Sequence, residues 1–212
     1  MEILFEDADI VVIDKPAGQV VHPAPGHETG SLTDELVSRF PEMRTVGSAE
    51  RPGVVHRLDI GTSGVMVFAK TQRAYLALRR AFESHTGVEK TYLAVCHGMP
   101  RGRKGTVDAP VGREHLRAVS HWQVLASHDG LSLVEFRIDT GRMHQIRIHA
   151  ANELGCPIVG DATYGDAAKD RRLRARPAHQ LLHAVELAFP HPVTGRRVVF
   201  SAPPPPELVY VR

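Results

Sequence analysis

The sequence predicts an α+β fold: a mixed, largely antiparallel central sheet with flanking helices. Three features carry that expectation. Short β-branched and aromatic runs outnumber helical periodicities along the chain. Hairpin-length turns between those runs outnumber strand–helix–strand units, which favours antiparallel pairing. No internal repeat and no separating linker is present, so residues 1–212 are read as one domain, either with a full core or of two lobes.

Taken in order, Ile3–Phe5 and Ile10–Ile13 read as strands around the turn Glu6-Asp7-Ala8-Asp9. Lys15-Pro16-Ala17-Gly18 breaks the pattern, and the loop His22-Pro23-Ala24-Pro25-Gly26-His27 follows. Its histidines lack carboxylate or cysteine partners at ligand spacing, so they are read as solvated. Ser31 with Asp34 marks a helix start, and Leu32, Leu36 and Val37 supply an apolar face as far as Phe40. Pro41 ends it, and 41–53 reads as loop. Val65–Ala69 is a buried strand, and Thr71 caps a helix reaching His85 with Ala74, Leu78, Ala81 and Phe82 inward. Glu89–His97 is a strand, Met99–Gly105 a basic turn, and His121–Ala126 and Leu131–Ile138 a hairpin around His128-Asp129-Gly130. A helix is expected from Met143 to Leu154, with Met143, Ile146, Ala150 and Leu154 as its buried stripe and Gly155 as its left-handed cap. Residues 160–178 are polar and then basic, strands recur near 180–189 and 197–200, and the Pro203–Pro206 run reads as a stiff exit.

Composition bounds the function classes. Hydrophobic residues make up 42% and charged residues 24%, ordinary for a soluble globular protein. A net charge of +2 neither demands nor excludes nucleic acid, so local clustering decides. Cys96 and Cys156 lack the spacing of a zinc site or disulfide framework and suit reduced core positions. No apolar run approaches membrane-spanning length, and no signal-peptide pattern opens the chain. A cytoplasmic protein without membrane contact is expected.

The chemistry converges on Arg57-Leu58-Asp59-Ile60-Gly61-Thr62-Ser63-Gly64, directly before the 65–69 strand. Two glycines and two hydroxyls let a tight turn hold one carboxylate at a fixed angle. Such a carboxylate can attack carbon, accept a proton or ligate a metal. By itself the pattern also fits a plain Asx-turn before a strand.

His56-Arg57-Leu58-Asp59 with Thr62-Ser63-Gly64 resembles the catalytic motif of the RluA-type pseudouridine synthases. In the same order the chain carries segments similar to others of that family: Lys15-Pro16-Ala17-Gly18, Glu89-Lys90-Thr91-Tyr92 with Gly98, and Thr140-Gly141-Arg142 with His144-Gln145-Ile146-Arg147. Gly155, Pro157, Ile158, Gly160-Asp161, Tyr164-Gly165, Leu182-His183-Ala184 and Phe200 with Ala202-Pro203 extend the likeness nearly to the end. Each segment alone is weak; their ordered sum is specific.

The resemblance implies isomerisation of uridine to pseudouridine in structured ribosomal or transfer RNA, without cofactor or metal. It implies catalytic roles for Asp59 at the sugar, Arg147 as the guanidinium partner of Asp59, and Tyr92 packed on the uracil. Arg57 would enter the RNA stack where the uridine is flipped out. His56 and His144 would support these neighbours at the RNA, with Arg142 beside them. Arg171, Arg172, Arg174 and Arg176 form a candidate phosphate-binding patch, with Arg101–Lys104 as a second. Ile60-Gly61 and Met143 depart from the family pattern, where a basic with a polar residue, and Thr or Lys, are commoner. The first strand opens at residue 3, so an S4-type RNA-binding domain is expected to be absent or to lie outside this sequence. A monomer is expected. Two other classes overlap: a nucleoside or glycoside hydrolase, which canonically needs two carboxylates, and an inert RNA-binding domain of the same fold. A metal hydrolase is weaker, because His144 and His149 lack the H-E-x-x-H spacing.

Overall fold

In the computed structural model, residues 1–23, 25–26, 28–174 and 176–209 are described. His27 of the histidine loop therefore lies outside them. The chain divides into two compact units: Met1–Glu89 with Glu186–Ala202, and Lys90–Val185 with Pro203–Arg212.

The first unit opens with β1 (Glu2–Glu6) and β2 (Ile10–Lys15), antiparallel around a turn in which Asp7 Oδ1 accepts the Asp9 and Ile10 N–H groups, both at 2.8 Å. α1 (Leu32–Arg39) starts at the expected capping box, with Ser31 Oγ accepting from Asp34 N and Asp34 accepting from Ser31 N. The stretch expected as loop contains a 3-10 turn, Pro41–Thr45, and a small ladder of β3 (Gly47–Ser48) with β4 (Arg51–Pro52). β5 (Ser63–Ala69) is buried along nearly its whole length, as its unbroken apolar run requires. α2 (Gln72–Ser84) is capped by Thr71 and ends at His85, whose φ of 56° is left-handed.

β6 (Glu89–His97) leads into the second unit, which continues through β7 (Lys104–Asp108), β8 (Val119–His128) and β9 (Leu131–Ile138). The β8–β9 turn is the expected hairpin, with positive φ at Asp129 (49°) and Gly130 (74°), a type I′ signature. The predicted 143–154 helix is instead α3 (Gln145–Ile148) widening into a π-turn, His149–Glu153, where Leu154 N donates to His149 O. Met143 lies outside it and is 68% exposed, so it is not part of the buried stripe. Gly155 does take the left-handed cap position, with φ of 63°. α4 (Ala167–Asp170), β10 (Leu182–Pro190) and β11 (Arg197–Ser201) complete the elements.

In the first unit the strand order is β1-β2-β5-β10, with β11 also paired to β10. In the second it is β10-β6-β9-β8-β7. The β1–β2, β2–β5, β10–β11, β6–β9, β7–β8 and β8–β9 pairings are antiparallel, giving the largely antiparallel α+β sheet that was expected. Ile10, Val12, Val65, Val67, Leu78, Phe82 and Phe189 form the core of the first unit. Each such side chain contributes roughly 1.5–3 kcal/mol on burial. In the second, Val95, Leu133 and Val159 pack with Leu208. The proline run is thus followed by an anchor: Leu208 is only 3% exposed, because a short 3-10 turn at Pro206–Val209 returns one leucine to the core. Cys96 and Cys156 are both buried free thiols.

Candidate active site

The Asp59 turn is fastened from below by Lys15. This lysine ends β2, opposite Gly64 in register, and its side chain is wholly buried. Its ammonium donates to Pro16 O (2.9 Å), Ile60 O (2.9 Å) and Thr62 O (2.8 Å). Gly18 N also donates to Ile60 O (2.8 Å), and Thr62 N closes the turn on Asp59 O (3.0 Å). Burial pushes the Lys15 amine down to about 8, while the Asp59 charge pulls it back up. A positive group is therefore held behind a half-buried carboxylate.

The neighbours of Asp59 divide by role. Arg57 is exposed. His56 is half-buried: its Nε2 accepts the Val67 N–H (3.1 Å) and its ring stacks on Phe82 at 4.6 Å. That acceptor role requires an unprotonated Nε2, which makes His56 a brace between the turn and the β5–α2 core. Ile60 is 43% exposed beside the carboxylate.

In the second unit Tyr92 sits in β6 opposite Phe136 and is 9% exposed. Two residues earlier on the same face of the strand, Lys90 is also buried. It donates to Thr140 O at 3.3 Å, and burial lowers its amine to about 8, with Asp139 opposing that shift and Arg142 adding to it. Arg142 is exposed and donates through Nε to Arg117 O (3.2 Å).

Arg147 is 6% exposed, which removes the alternative of a solvated surface arginine. Its Nε donates to Asp161 Oδ2 (2.7 Å) and its Nη2 to Asp161 Oδ1 (2.8 Å). Burial works to raise the Asp161 carboxyl, but Arg147 and the Tyr164 and Thr163 amides outweigh it and hold it below the usual carboxylate range. Tyr164 lies against the guanidinium, 5.2 Å from ring centre to Cζ, and its hydroxyl is 3.2 Å from His144 Nδ1. His144 has a φ of 57°, the left-handed bend that turns the chain into α3.

A buried polar network stiffens this segment. Gln145 Oε1 accepts from Thr140 Oγ1 (2.7 Å) and Arg142 N (3.1 Å), and its Nε2 donates to Val119 O (2.9 Å) and Ser120 Oγ (3.0 Å). His149, wholly buried, faces Ala109 O through Nε2 (3.0 Å) and Ser120 Oγ through Nδ1 (2.9 Å). Because a carbonyl only accepts, Nε2 carries the proton and Nδ1 accepts from the serine. Burial lowers the His149 pKa, with the Ala109 bond and the Glu153 and Asp108 charges opposing, consistent with that neutral tautomer.

Asp59, Arg57 and His56 thus belong to the first unit, and Tyr92, Arg142, His144 and Arg147 to the second. Arg171, Arg172, Arg174 and Arg176 are exposed at and beyond the end of α4; Ala175 among them lies outside the described residues. Reading the residues one by one misses Lys15, Lys90, Asp161 and Tyr164. All four stand in segments with family resemblance, but a buried lysine or a second aspartate shows its purpose only through its partners. Among the described residues no group of three or more His, Cys, Asp or Glu is arranged for a metal ion, and no helix is long and apolar enough to cross a membrane.

Residues 9–152 match the family model described as RNA pseudouridylate synthase. An RNA pseudouridine synthase of Bacillus subtilis is 39% identical over 98% of this chain and 70% of its own length. The ribosomal large subunit pseudouridine synthase D of Pseudomonas aeruginosa is 38% identical over 100% of this chain and 70% of its own. Among solved structures, the human RNA pseudouridylate synthase domain containing 4 superposes with a TM-score of 0.80 at 29% identity, covering 98% of this chain and 90% of that one.

Proposed function

Because the chain belongs to the RNA pseudouridylate synthase family and is an isomerase of uridine in RNA, we propose that Asp59 carries the reaction at a flipped-out uridine of ribosomal or transfer RNA. The N1–C1′ bond breaks, the uracil turns while bound, C5 bonds to C1′, and the C5 proton leaves as N1 regains one. No atom is gained or lost, so neither cofactor nor metal is called for. An ionised carboxylate serves whether it adds to C1′ or draws off the C2′ proton to give a glycal.

The observation that carries this reading is the clamp on the Asp59 turn. Three backbone carbonyls around the turn are gathered on one buried ammonium, which fixes the backbone and places positive charge behind the carboxylate. Pre-set geometry of that kind lowers the cost of orienting the attacking group. Arg147 is the proposed guanidinium partner of Asp59, supported by its motif register and by a side chain already fixed through Asp161. Tyr92 packs on the uracil, Arg57 fills the vacated stack, His56, Arg142 and His144 line the RNA-contacting motifs, and Arg171, Arg172, Arg174 and Arg176 meet phosphates. The enzyme works as a monomer in the cytoplasm.

The test is nucleoside analysis of ribosomal and transfer RNA transcripts after incubation with the protein. The reading expects pseudouridine at defined sites with no free uracil. Free uracil and abasic sites would instead assign a hydrolase.

A further inference from the structure

We propose that Asp161 and Tyr164 are positioning residues that set the plane and reach of the Arg147 guanidinium for the reaction. The inference rests on the reading in which Arg147 partners the catalytic carboxylate.

The two residues sit at the start of a closed loop. Leu181 N donates to Val159 O (2.8 Å), so the chain between them returns to its origin. Gly160, with φ of 75°, lies so near the returning chain that a Cβ there would sit 2.4 Å from His179 O. Asp170 Oδ1 ties the far side back, taking the Gly160 N–H (3.2 Å) and facing His97 Nε2 of β6 at 2.7 Å. Asp166 caps the short α4 through the Ala168 and Lys169 amides, and Leu173 packs against the Val95–Leu133–Val159 core. The loop is therefore a built platform.

The inner side of that platform is shaped to an arginine. The Asp161 side chain is fully buried and saturated: Oδ1 accepts Arg147 Nη2, Thr163 N (2.9 Å) and Tyr164 N (3.0 Å), while Oδ2 accepts Arg147 Nε. The fork-to-fork pairing fixes the guanidinium plane, which a single ammonium could not copy. The Tyr164 ring lies over the cation, and its hydroxyl reaches His144 at the bend that begins α3. A flexible side chain is thereby reduced to one orientation before RNA arrives, which removes an entropic cost from the chemical step.

Tyr164 is half-buried, so its variants are expected to fold where loss of the Asp161 carboxylate endangers the core. The experiment compares wild type, Tyr164→Phe and Tyr164→Leu by single-turnover rate at saturating RNA, RNA affinity, and hydrogen exchange of the Arg147 Nε–H by NMR. Tyr164→Leu should slow the chemical step about tenfold, leave affinity within about twofold, and speed Nε–H exchange. Tyr164→Phe keeps the ring over the cation and should match wild type in rate and exchange. Wild-type rate and exchange in Tyr164→Leu, a loss confined to affinity, or equal slowing by Phe and Leu would each overturn the proposal. Exchange is read without turnover, so it separates the two readings. If Tyr164→Leu frees the Nε–H while wild type forms no pseudouridine on any RNA, the functional reading fails and the positioning of Arg147 stands.

Discussion

Arg147 and Asp161 form a buried two-pronged ion pair, with both Asp161 oxygens occupied by the guanidinium and two backbone amides closing the remaining sites on Oδ1. Removing one partner strands a buried charge, so Arg147→Ala should cost ~3–5 kcal/mol of stability in urea denaturation. Arg147→Lys keeps the charge but loses one prong and the ring stacking, and should cost about 1–3 kcal/mol. Its single-turnover rate should fall far more than its RNA affinity. A lysine variant as fast as wild type would remove Arg147 from the reaction.

The same pair sets an acid limit. The Asp161 pKa is lowered in the fold, so its stabilisation is complete above the unfolded carboxylate value of ~4 and is lost as pH falls through the folded one. His149 acts at milder pH with the same sign. Its folded pKa lies below the ordinary histidine value of ~6.5, so below that value the unfolded chain binds the extra proton and stability declines. His149→Leu leaves the Ala109 carbonyl without its ring N–H donor and the Ser120 hydroxyl, still held by Gln145, without its acceptor, and should cost about 1–3 kcal/mol at neutral pH. It should also flatten the stability slope between about pH 7 and pH 5. Denaturation curves across that range provide the check.

The Lys15 clamp is open to the same scrutiny. Lys15→Met keeps the volume but leaves the Pro16, Ile60 and Thr62 carbonyls without the ammonium. Stability should drop by about 2–4 kcal/mol, and turnover at saturating RNA should fall because the Asp59 turn loses its fixed backbone. Unchanged turnover in a folded Lys15→Met protein would show that the clamp serves the fold alone.

How much of this was legible in the sequence follows from how local each cause is. The Ser31–Asp34 capping box, the Thr71 cap and the Asp129-Gly130 hairpin turn rest on neighbouring residues, and each stands where expected. Strand β7 escaped because Lys104-Gly105-Thr106-Val107-Asp108 carries charged ends and a glycine. Its strand form comes from pairing with β8, where a Cβ at Gly105 would press on the Trp122 ring at 3.1 Å. Met143 falls on the apolar stripe of an ideal 143–154 helix, but the left-handed bend at His144 puts it outside the helix frame. Asp161 stood in a polar, glycine-containing run with its partner 14 residues away, a distance no periodicity connects. The role proposed for Asp59 rests on family resemblance and not on the local pattern.

RNA binding and base flipping should separate cleanly. Arg171 and Arg172 are exposed at the end of α4, so neutralising both should weaken binding and reduce the salt slope of log K by about 0.7–0.9 per lost phosphate contact. The chemical step should stay near normal at saturation. Arg57→Ala should slow turnover even at saturation, and the defect should shrink when the target uridine is already unpaired. Loss of affinity alone, equal on paired and unpaired RNA, would make Arg57 one more phosphate contact.

The most direct measurement of the central claim is tritium release from RNA labelled at uridine C5, comparing wild type with Asp59→Asn. Forming the C5–C1′ bond expels the C5 hydrogen, so label reaches solvent only as isomerisation proceeds. The account predicts release by wild type, with the RNA unchanged in mass apart from the label exchanged. It predicts release by at least ~10³-fold less in an Asp59→Asn protein that keeps its fold and most of its RNA affinity, because the amide cannot act as a nucleophile or base. Comparable tritium release by the folded Asp59→Asn variant would contradict it.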